Sequence, residues 1–462
     1  MDSYYADLRA HDYEKAMHSI EHNKLIKKNR NALLYNLEMG RLYRLKNDPV
    51  NSNIFFNNAD NMIEANRKSF KDLTLGNMLN PMYETYRGED FEQFMMHYYK
   101  ALNYAALGQK DEAVVEARRI TLSTDAQGDK FKNAEKRYSK DAFALNLQGM
   151  IYEMSGDMNN AFISYRNAAE TYGKGGEYYG VQMPQQLRTD LVRSAGLMGF
   201  SGEQEQYEKM YNVSYTGTAP ANGELVLFIE EGHAPVKEEK DFFLTSGSNG
   251  ISSFNYIDAN GLNSNFDFNY SSYGIEQEKL SSIRALRVAM PQYRIQYPQR
   301  QNITVSNNAE TYTPQLAEDL NSVAVNVLKE RFLTEMANAL ARQLTKKLVE
   351  KGTQAAAESI AKSKDNKTDS TADQAKKDAD KKKREEKAKN AGEVAGFIAN
   401  IVNTATEKAD TRNWQSLPAF VSYVRIPLNP GENIITVNTN AGPVTLKVTG
   451  GKGLQMMGIN VD

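Results

Sequence analysis

A chain of 462 residues with no cysteine, 56 Lys and Arg against 58 Asp and Glu, and a net charge of −2 excludes several classes of protein at once. Without thiols there are no disulfides, thiolate metal sites, iron–sulfur clusters or cysteine nucleophiles, and the near-neutral balance supplies no global field for nucleic acid. No apolar stretch approaches the roughly 20 residues a membrane-spanning helix needs, and the length suits about two or three domains.

Met1 leads straight into Asp2-Ser3-Tyr4-Tyr5-Ala6-Asp7-Leu8, which has neither the basic start nor the apolar run of a signal peptide. From there to about residue 215 the pattern is helical, with a recurring motif of the tetratricopeptide kind. In such a helix pair the first helix carries a small residue and, three positions on, an aromatic. After a turn, the second helix carries Ala, a large residue and Ala where the two helices cross closely. Gly149, Tyr152, Gly156-Asp157, Ala161, Tyr165 and Ala168 meet every position. Gly40, Tyr43, Asn47-Asp48, Phe56 and Ala59 form a second copy with Ser52 in place of Ala, and Ala101, Tyr104, Gly108, Ala113 and Ala117 form a third. His11 to Ala16 reads as the turn and second helix of a further unit. Tyr43 to Tyr104 is 61 residues and Tyr104 to Tyr152 is 48, against a tetratricopeptide period of about 34, so extra segments are expected between copies. Helices over about 184–199 and 202–211 close this part.

Beyond Tyr215-Thr216-Gly217 the character changes to strands. Gly223–Ile229 reads as a buried strand stopped by Gly232 and Pro235, and Arg284–Tyr297, Asn302–Ser306, Ala419–Ile426, Asn433–Asn438 and Pro443–Val448 are further strands. The last two flank the hairpin turn Thr439-Asn440-Ala441-Gly442. The fold class expected is therefore α+β: an all-α repeat domain over 1–215, and a small β-sandwich-like domain over 223–462. The second domain carries two insertions, a loop at 244–279 and a helical hairpin at 316–410. The hairpin follows from apolar stripes at Leu320, Val323, Val327, Phe332, Met336, Leu340, Leu344 and Leu348 and at Val394, Ile398, Ile401, Val402 and Ala405. Its tip, 362–390, is charged and expected to be disordered.

Candidate chemistry is sparse. His18 and His22 have the spacing of a two-ligand helix face, but Glu21 stands one position late for a zincin motif. The glycines at 173–176 and 450–453 lack the Lys-Ser/Thr ending of a phosphate loop, Asp258-Ala259-Asn260-Gly261 lacks the later ligands of a calcium loop, and the lysine run 376–389 is interrupted by Asp378, Asp380, Glu385 and Glu386. The most suggestive cluster is Glu230, Glu231 and His233, where a strand end delivers two carboxylates and an imidazole to a turn, as metal binding or proton transfer would require.

Tyr86-Arg87-Gly88-Glu89-Asp90-Phe91-Glu92, then Ala101-Leu102-Asn103-Tyr104, Gly223-Glu224-Leu225-Val226, Gly232-His233-Ala234-Pro235-Val236-Lys237 and Ala409-Asp410-Thr411-Arg412-Asn413-Trp414-Gln415-Ser416-Leu417-Pro418-Ala419 together resemble a family of tetratricopeptide-like lipoproteins of the bacterial cell envelope. The resemblance spans nearly the whole chain. It implies a role in envelope assembly and brings no catalytic residue with it. It also implies a leader and a lipid-accepting cysteine, which this sequence lacks. An envelope location, outer-membrane and facing periplasm or surface, is expected if a leader was removed, and a cytoplasmic one if Met1 is the native start.

The reading that follows is a non-enzymatic scaffold for a protein or peptide partner, envelope lipoproteins among them. No cofactor, metal or nucleic acid is expected, and membrane contact only through a lipid anchor outside this sequence. Asn36, Tyr98, Asn103 and Asn146 are expected on first-helix faces lining a partner groove. Asp410, Arg412, Trp414 and Pro418 are expected to form a structural latch between the helical and strand parts. The alternative is a metal-dependent or acid–base hydrolase built on Glu230, Glu231 and His233.

Overall fold

The computed structural model describes residues 2–69, 84–130, 138, 140–173, 175–215, 217, 220–247, 250–257, 263–267, 285–365 and 408–461. The chain is α+β, with helices through the first half and mainly strands in the second.

The helices come in consecutive pairs: α1 (Asp2–Arg9) with α2 (Tyr13–Glu21), α3 (Ala32–Leu45) with α4 (Pro49–Ser69), α5 (Asp90–Ala106) with α6 (Lys110–Lys130), α7 (Ala142–Ser155) with α8 (Met158–Tyr172), and α9 (Gln185–Leu197) with α10 (Ser201–Tyr211). All five turns are built alike. His11, Asn47, Gly108, Gly156 and Gly199 each adopt a left-handed backbone. The following amide then donates to the carbonyl five residues back: Asp12 to Asp7, Asp48 to Tyr43, Gln109 to Tyr104, Asp157 to Tyr152 and Phe200 to Ala195. This closure satisfies carbonyls a helix end would leave open. Asp12 and Asp157 then cap the next helix through their side chains, which is why an acid follows the turn residue so often. A short hairpin, β1 (Glu177–Tyr178) and β2 (Val181–Gln182), lies between α8 and α9.

Among the described residues, three four-stranded sheets follow. The central one has the order β10 (Gln315–Asp319), β11 (Phe420–Pro427), β3 (Glu224–Glu231), β14 (Leu454–Asn460), with β14 parallel to β3 and the other pairs antiparallel. The second, β13 (Gly442–Thr449), β12 (Glu432–Thr439), β8 (Thr304–Asn307) and β9 (Glu310–Tyr312), is antiparallel, and its β12–β13 hairpin turns at the expected residues. The third orders β6 (Asn263–Asp267), β5 (Gly250–Ile257), β4 (Val236–Gly247) and β7 (Ala285–Arg294).

Side-chain alternation on β3 explains its unbroken apolar run, because both faces are covered. Val226 and Phe228 join the core shared with the helices, while Leu225, Leu227 and Ile229 join a second core with Val305, Ile435 and Val437 of the neighbouring sheet. The central sheet is thus a middle layer. Helix residues and residues of β3, β11 and β14 belong to one continuous hydrophobic cluster.

Strands β4, β9 and β14 and the β1–β2 hairpin add to the strands expected from the sequence, and two predicted segments differ from expectation. Within the predicted loop insertion 244–279, residues 250–257 and 263–267 are paired strands that extend the sheet begun by β4; residues 258–262 and 268–279 lie outside the described residues. The predicted hairpin start at Leu316 is strand, because Gln315–Asp319 pairs with β11, and helix begins only at α11 (Leu320–Asp365), where Asp319 accepts from the Ser322 amide at 3.1 Å. Leu320, Val323, Val327, Met336 and Leu340 of its stripe are buried, and α11 packs on β7. The second stripe, 394–405, and the charged tip beyond Asp365 lie outside the described residues.

Candidate functional site

Adjacent residues on a strand point to opposite faces, so Glu230 and Glu231 at the end of β3 part company. Glu230 faces the helices, where Arg41 Nη2 lies 2.7 Å from Oε2 and the Tyr98 hydroxyl donates to Oε1 at 2.9 Å. Both ends of that ion pair are 2% exposed. Glu231 faces the other side, accepting from the Gln301 amide at 2.7 Å and from Ser422 Oγ at 3.5 Å, with Arg300 at 3.6 Å. Burial raises its carboxyl above the usual range, against the pull of the Gln301 amide and Arg300. The three predicted residues therefore do not form one constellation. Glu231 and His233 alone meet, in a cleft of about 160 Å³ lined also by Arg9, His11, Tyr297, Gln299 and Gln301. Gly232 makes the bend between them at φ +64°, and a Cβ there would stand 2.7 Å from the Tyr297 ring.

A second cluster escapes inspection of the sequence because three helices contribute to it. Asp60 (α4), His97 (α5) and Glu116 (α6) are buried and bring one ligand atom each to within 4.8 Å of one another, a donor set that suits a divalent cation. Lys100, one turn beyond His97, already supplies a positive charge: its Nζ lies 2.7 Å from Asp60 Oδ2 and 2.9 Å from Glu116 Oε1. Arg119 adds a contact to Asp60 at 2.8 Å and another to Glu64 at 3.1 Å, and His97 Nδ1 meets Glu116 Oε2 at 2.8 Å. Burial would raise both carboxyls, but Lys100 and His97 bring Asp60 below its ordinary value, and His97 and Lys100 do so for Glu116. The only legible signal was the repeated spacing of charges at i, i+3 and i, i+4 along the three helices.

The segment before β11 runs through the junction of helices and sheet. Asp410 holds Arg412 through two bonds, Nε at 2.8 Å and Nη2 at 2.6 Å, and Arg412 Nη1 donates to Asn31 Oδ1 at 2.8 Å and to the Glu84 carbonyl at 2.9 Å, over the ring of Tyr86. Trp414 is fully buried, its ring centroid 5.8 Å from Phe56 and 5.9 Å from Tyr99. Its amide donates to Glu92 Oε1 at 2.7 Å and its indole N–H to Ser416 Oγ at 2.9 Å. Gln415 N donates to Glu38, which also accepts from the hydroxyls of Tyr4 and Tyr5, so one buried carboxylate ties α1 to this segment. Pro418 is buried two residues before β11, between Leu417, whose carbonyl accepts from Ala234 N, and Ala419, whose amide donates to Glu231 O.

The four residues predicted to line a partner groove are interior, at 7% exposure for Asn36, 1% for Tyr98, 0% for Asn103 and 1% for Asn146. Asn36 donates to Ala32 O, Tyr98 to Glu230, Asn103 to Ser52 Oγ and Asn53 Oδ1, and Asn146 to the Tyr423 hydroxyl. The physical reason for the correction is that the chain's own sheet covers Tyr98 and Asn146, while Asn36 and Asn103 are turned toward α4 of the same helix array. Arg41 and Arg44 of α3 likewise reach Ser416 O and Gly458 O.

No protein-family model and no curated protein matches the chain. Among the described residues no helix is long and apolar enough to cross a membrane.

Proposed function

We propose that this protein is a non-enzymatic scaffold of the bacterial cell envelope, whose helix pairs form a tetratricopeptide-like array that presents its outer face to a protein partner. The observation that carries this reading is the fit at the helix crossings. A Cβ at Gly40 would lie 2.6 Å from the Phe56 ring and one at Gly149 2.4 Å from the Tyr165 ring, so the small and large residues of the motif meet in two separate pairs. The shared left-handed turn supports the same equivalence. Because the inner face is occupied by the chain's own sheet, the partner surface falls on the second helices, where Val50 and Ile54 of α4 and Val115 and Leu122 of α6 are 54%, 52%, 44% and 63% exposed. The envelope location rests on the family resemblance.

The test is cross-linking and capture from envelope extract with the full chain and with Ile54→Asp/Leu122→Asp. A partner held by the parent and released by the variant, with unchanged circular dichroism, is the expected result. Identical capture by both, or no partner with either, refutes the surface. The hydrolase reading retains one observation in its favour, the cleft that Glu231 and His233 share; it predicts a hydrolytic activity lost in His233→Ala, and a parent inactive on ester, amide and phosphoester panels removes it.

A further inference from the structure

Asp141 and Glu318 are buried acids, 3% and 5% exposed, and among the described residues neither forms an ion pair with a basic side chain. Asp141 caps α7 by accepting the Ala144 amide at 2.8 Å on Oδ1, and takes the Tyr138 hydroxyl at 2.5 Å on Oδ2. Glu318 comes from the edge strand β10, and its Oε1 meets no hydrogen-bond donor. Both carboxyls line one cavity of about 10 Å³, room for a single group the size of a water molecule.

The remaining walls are aromatic. Tyr138, Tyr172, Tyr178 and Tyr179 surround the cavity, with the Tyr178 and Tyr179 rings 4.6 Å apart and Tyr138 edge-on to Tyr179 at 5.4 Å. The β1–β2 hairpin delivers Tyr178 and Tyr179, and Tyr179 does so at φ +48°, a backbone conformation that L side chains adopt only when the surroundings impose it. Glu330 of α11 holds this wall by accepting from the Tyr179 hydroxyl and the Tyr138 amide. Buried like-charged carboxylates without a counter-ion are costly, and phenol faces attract cations. A divalent metal of the magnesium or calcium kind requires six or more oxygens, whereas both Asp141 oxygens are already engaged and Glu318 offers one open atom. A tetrahedral donor fits better: it hydrogen-bonds to one acceptor and rests on aromatic rings.

We infer that this cavity binds one ammonium head group, with Glu318 Oε1 as acceptor, the two carboxylates as counter-charge and the four tyrosines as its cage. The source is either the free ion or the end of a primary amine, and the inference stands apart from the scaffold reading.

The experiment is thermal unfolding of the full chain at constant ionic strength and pH 8, with ammonium, methylammonium, sodium or tetramethylammonium chloride. Ammonium or methylammonium should raise the midpoint along a saturating curve, whereas sodium and tetramethylammonium should not. A response to ammonium alone identifies the free ion, and an equal or larger response to methylammonium identifies an amine terminus. Glu318→Gln should abolish the shift, and Tyr178→Leu, at the partly exposed side of the cage, should weaken the apparent affinity roughly tenfold. Equal midpoints in ammonium and sodium overturn the proposal and leave a proton as the partner of the acid pair. So does an unchanged ammonium response in Glu318→Gln or, should that variant fail to fold, in Tyr178→Leu.

Discussion

Replacing Trp414 with Ala deletes a fully buried indole that packs the segment leading into β11 against α4 and α5. Truncating a buried tryptophan costs roughly 3–5 kcal/mol. Two features of this site push toward the upper part of that range. The ring meets both Phe56 and Tyr99, aromatic pairs worth about 0.5–1.5 kcal/mol each beyond burial, and its N–H bond to Ser416 Oγ is worth about 1 kcal/mol. Trp414→Ala is therefore expected to lose about 4–5 kcal/mol, and Trp414→Phe, which keeps a ring but no donor, about 1–2 kcal/mol. Urea denaturation followed by far-ultraviolet circular dichroism measures both. The parent offers a second readout, since Trp414 is the only tryptophan. Its fluorescence reports the junction while dichroism reports the helices, and one continuous core predicts that the two transitions coincide. A Trp414→Ala midpoint equal to the parent's, or tryptophan exposure well before helix loss, would refute the idea that this side chain locks the two halves.

Glu89 and Glu92 predict opposite pH slopes one turn apart. Burial would raise the Glu89 carboxyl, but Arg331 and Lys237 bring it down to about 2, below the ordinary value near 4.3. Its stabilisation is full above about pH 4.3 and lost as the pH falls toward 2, so Glu89→Gln should flatten the acid limb of a stability–pH curve by about 3 kcal/mol. Glu92 is raised to about 7 by burial and by Glu89; the folded state holds its proton more tightly, so stability declines as the pH rises from about 4.3 through 7, and Glu92→Gln should remove that decline. Gly149→Ala forces a methyl against Tyr165 and should cost about 1–3 kcal/mol in denaturant, whereas Gly202→Ala on α10, with open space around it, should be neutral or stabilising by up to about 1 kcal/mol. Lys100→Ala leaves Asp60 and Glu116 without their central cation and should cost about 3–5 kcal/mol; zinc should raise the melting midpoint of that variant and leave the parent unchanged.

Helix pairs were legible in the sequence because their signals are local. Gly149 and Tyr165 lie within one unit, and the turn residue precedes an acid that caps the next helix. The strand β3 was legible because a run buried on both faces must be apolar throughout. Leu316 misled because it falls in phase with the helical stripe that starts four residues later, while its strand state is decided by register with Ser422, more than a hundred positions away. Alternation along β3 was enough to separate Glu230 from Glu231, since two neighbours in a strand cannot serve one site on one face.

What the amino-acid sequence by itself determined is therefore the helix pairs, the strands β3, β7, β8, β11, β12 and β13, the tight turns and the α+β class, all governed by periodicity and backbone hydrogen bonding over a few residues. Only the tertiary structure decided what each buried polar group does. It turned Asn36, Tyr98, Asn103 and Asn146 inward, set Lys100 between two carboxylates from different helices, and left Asp141 and Glu318 facing one aromatic cavity. The physical reason is that charge pairing and burial depend on which surfaces meet, and the faces of α5 and α7 that resemble a binding groove meet the chain's own central sheet.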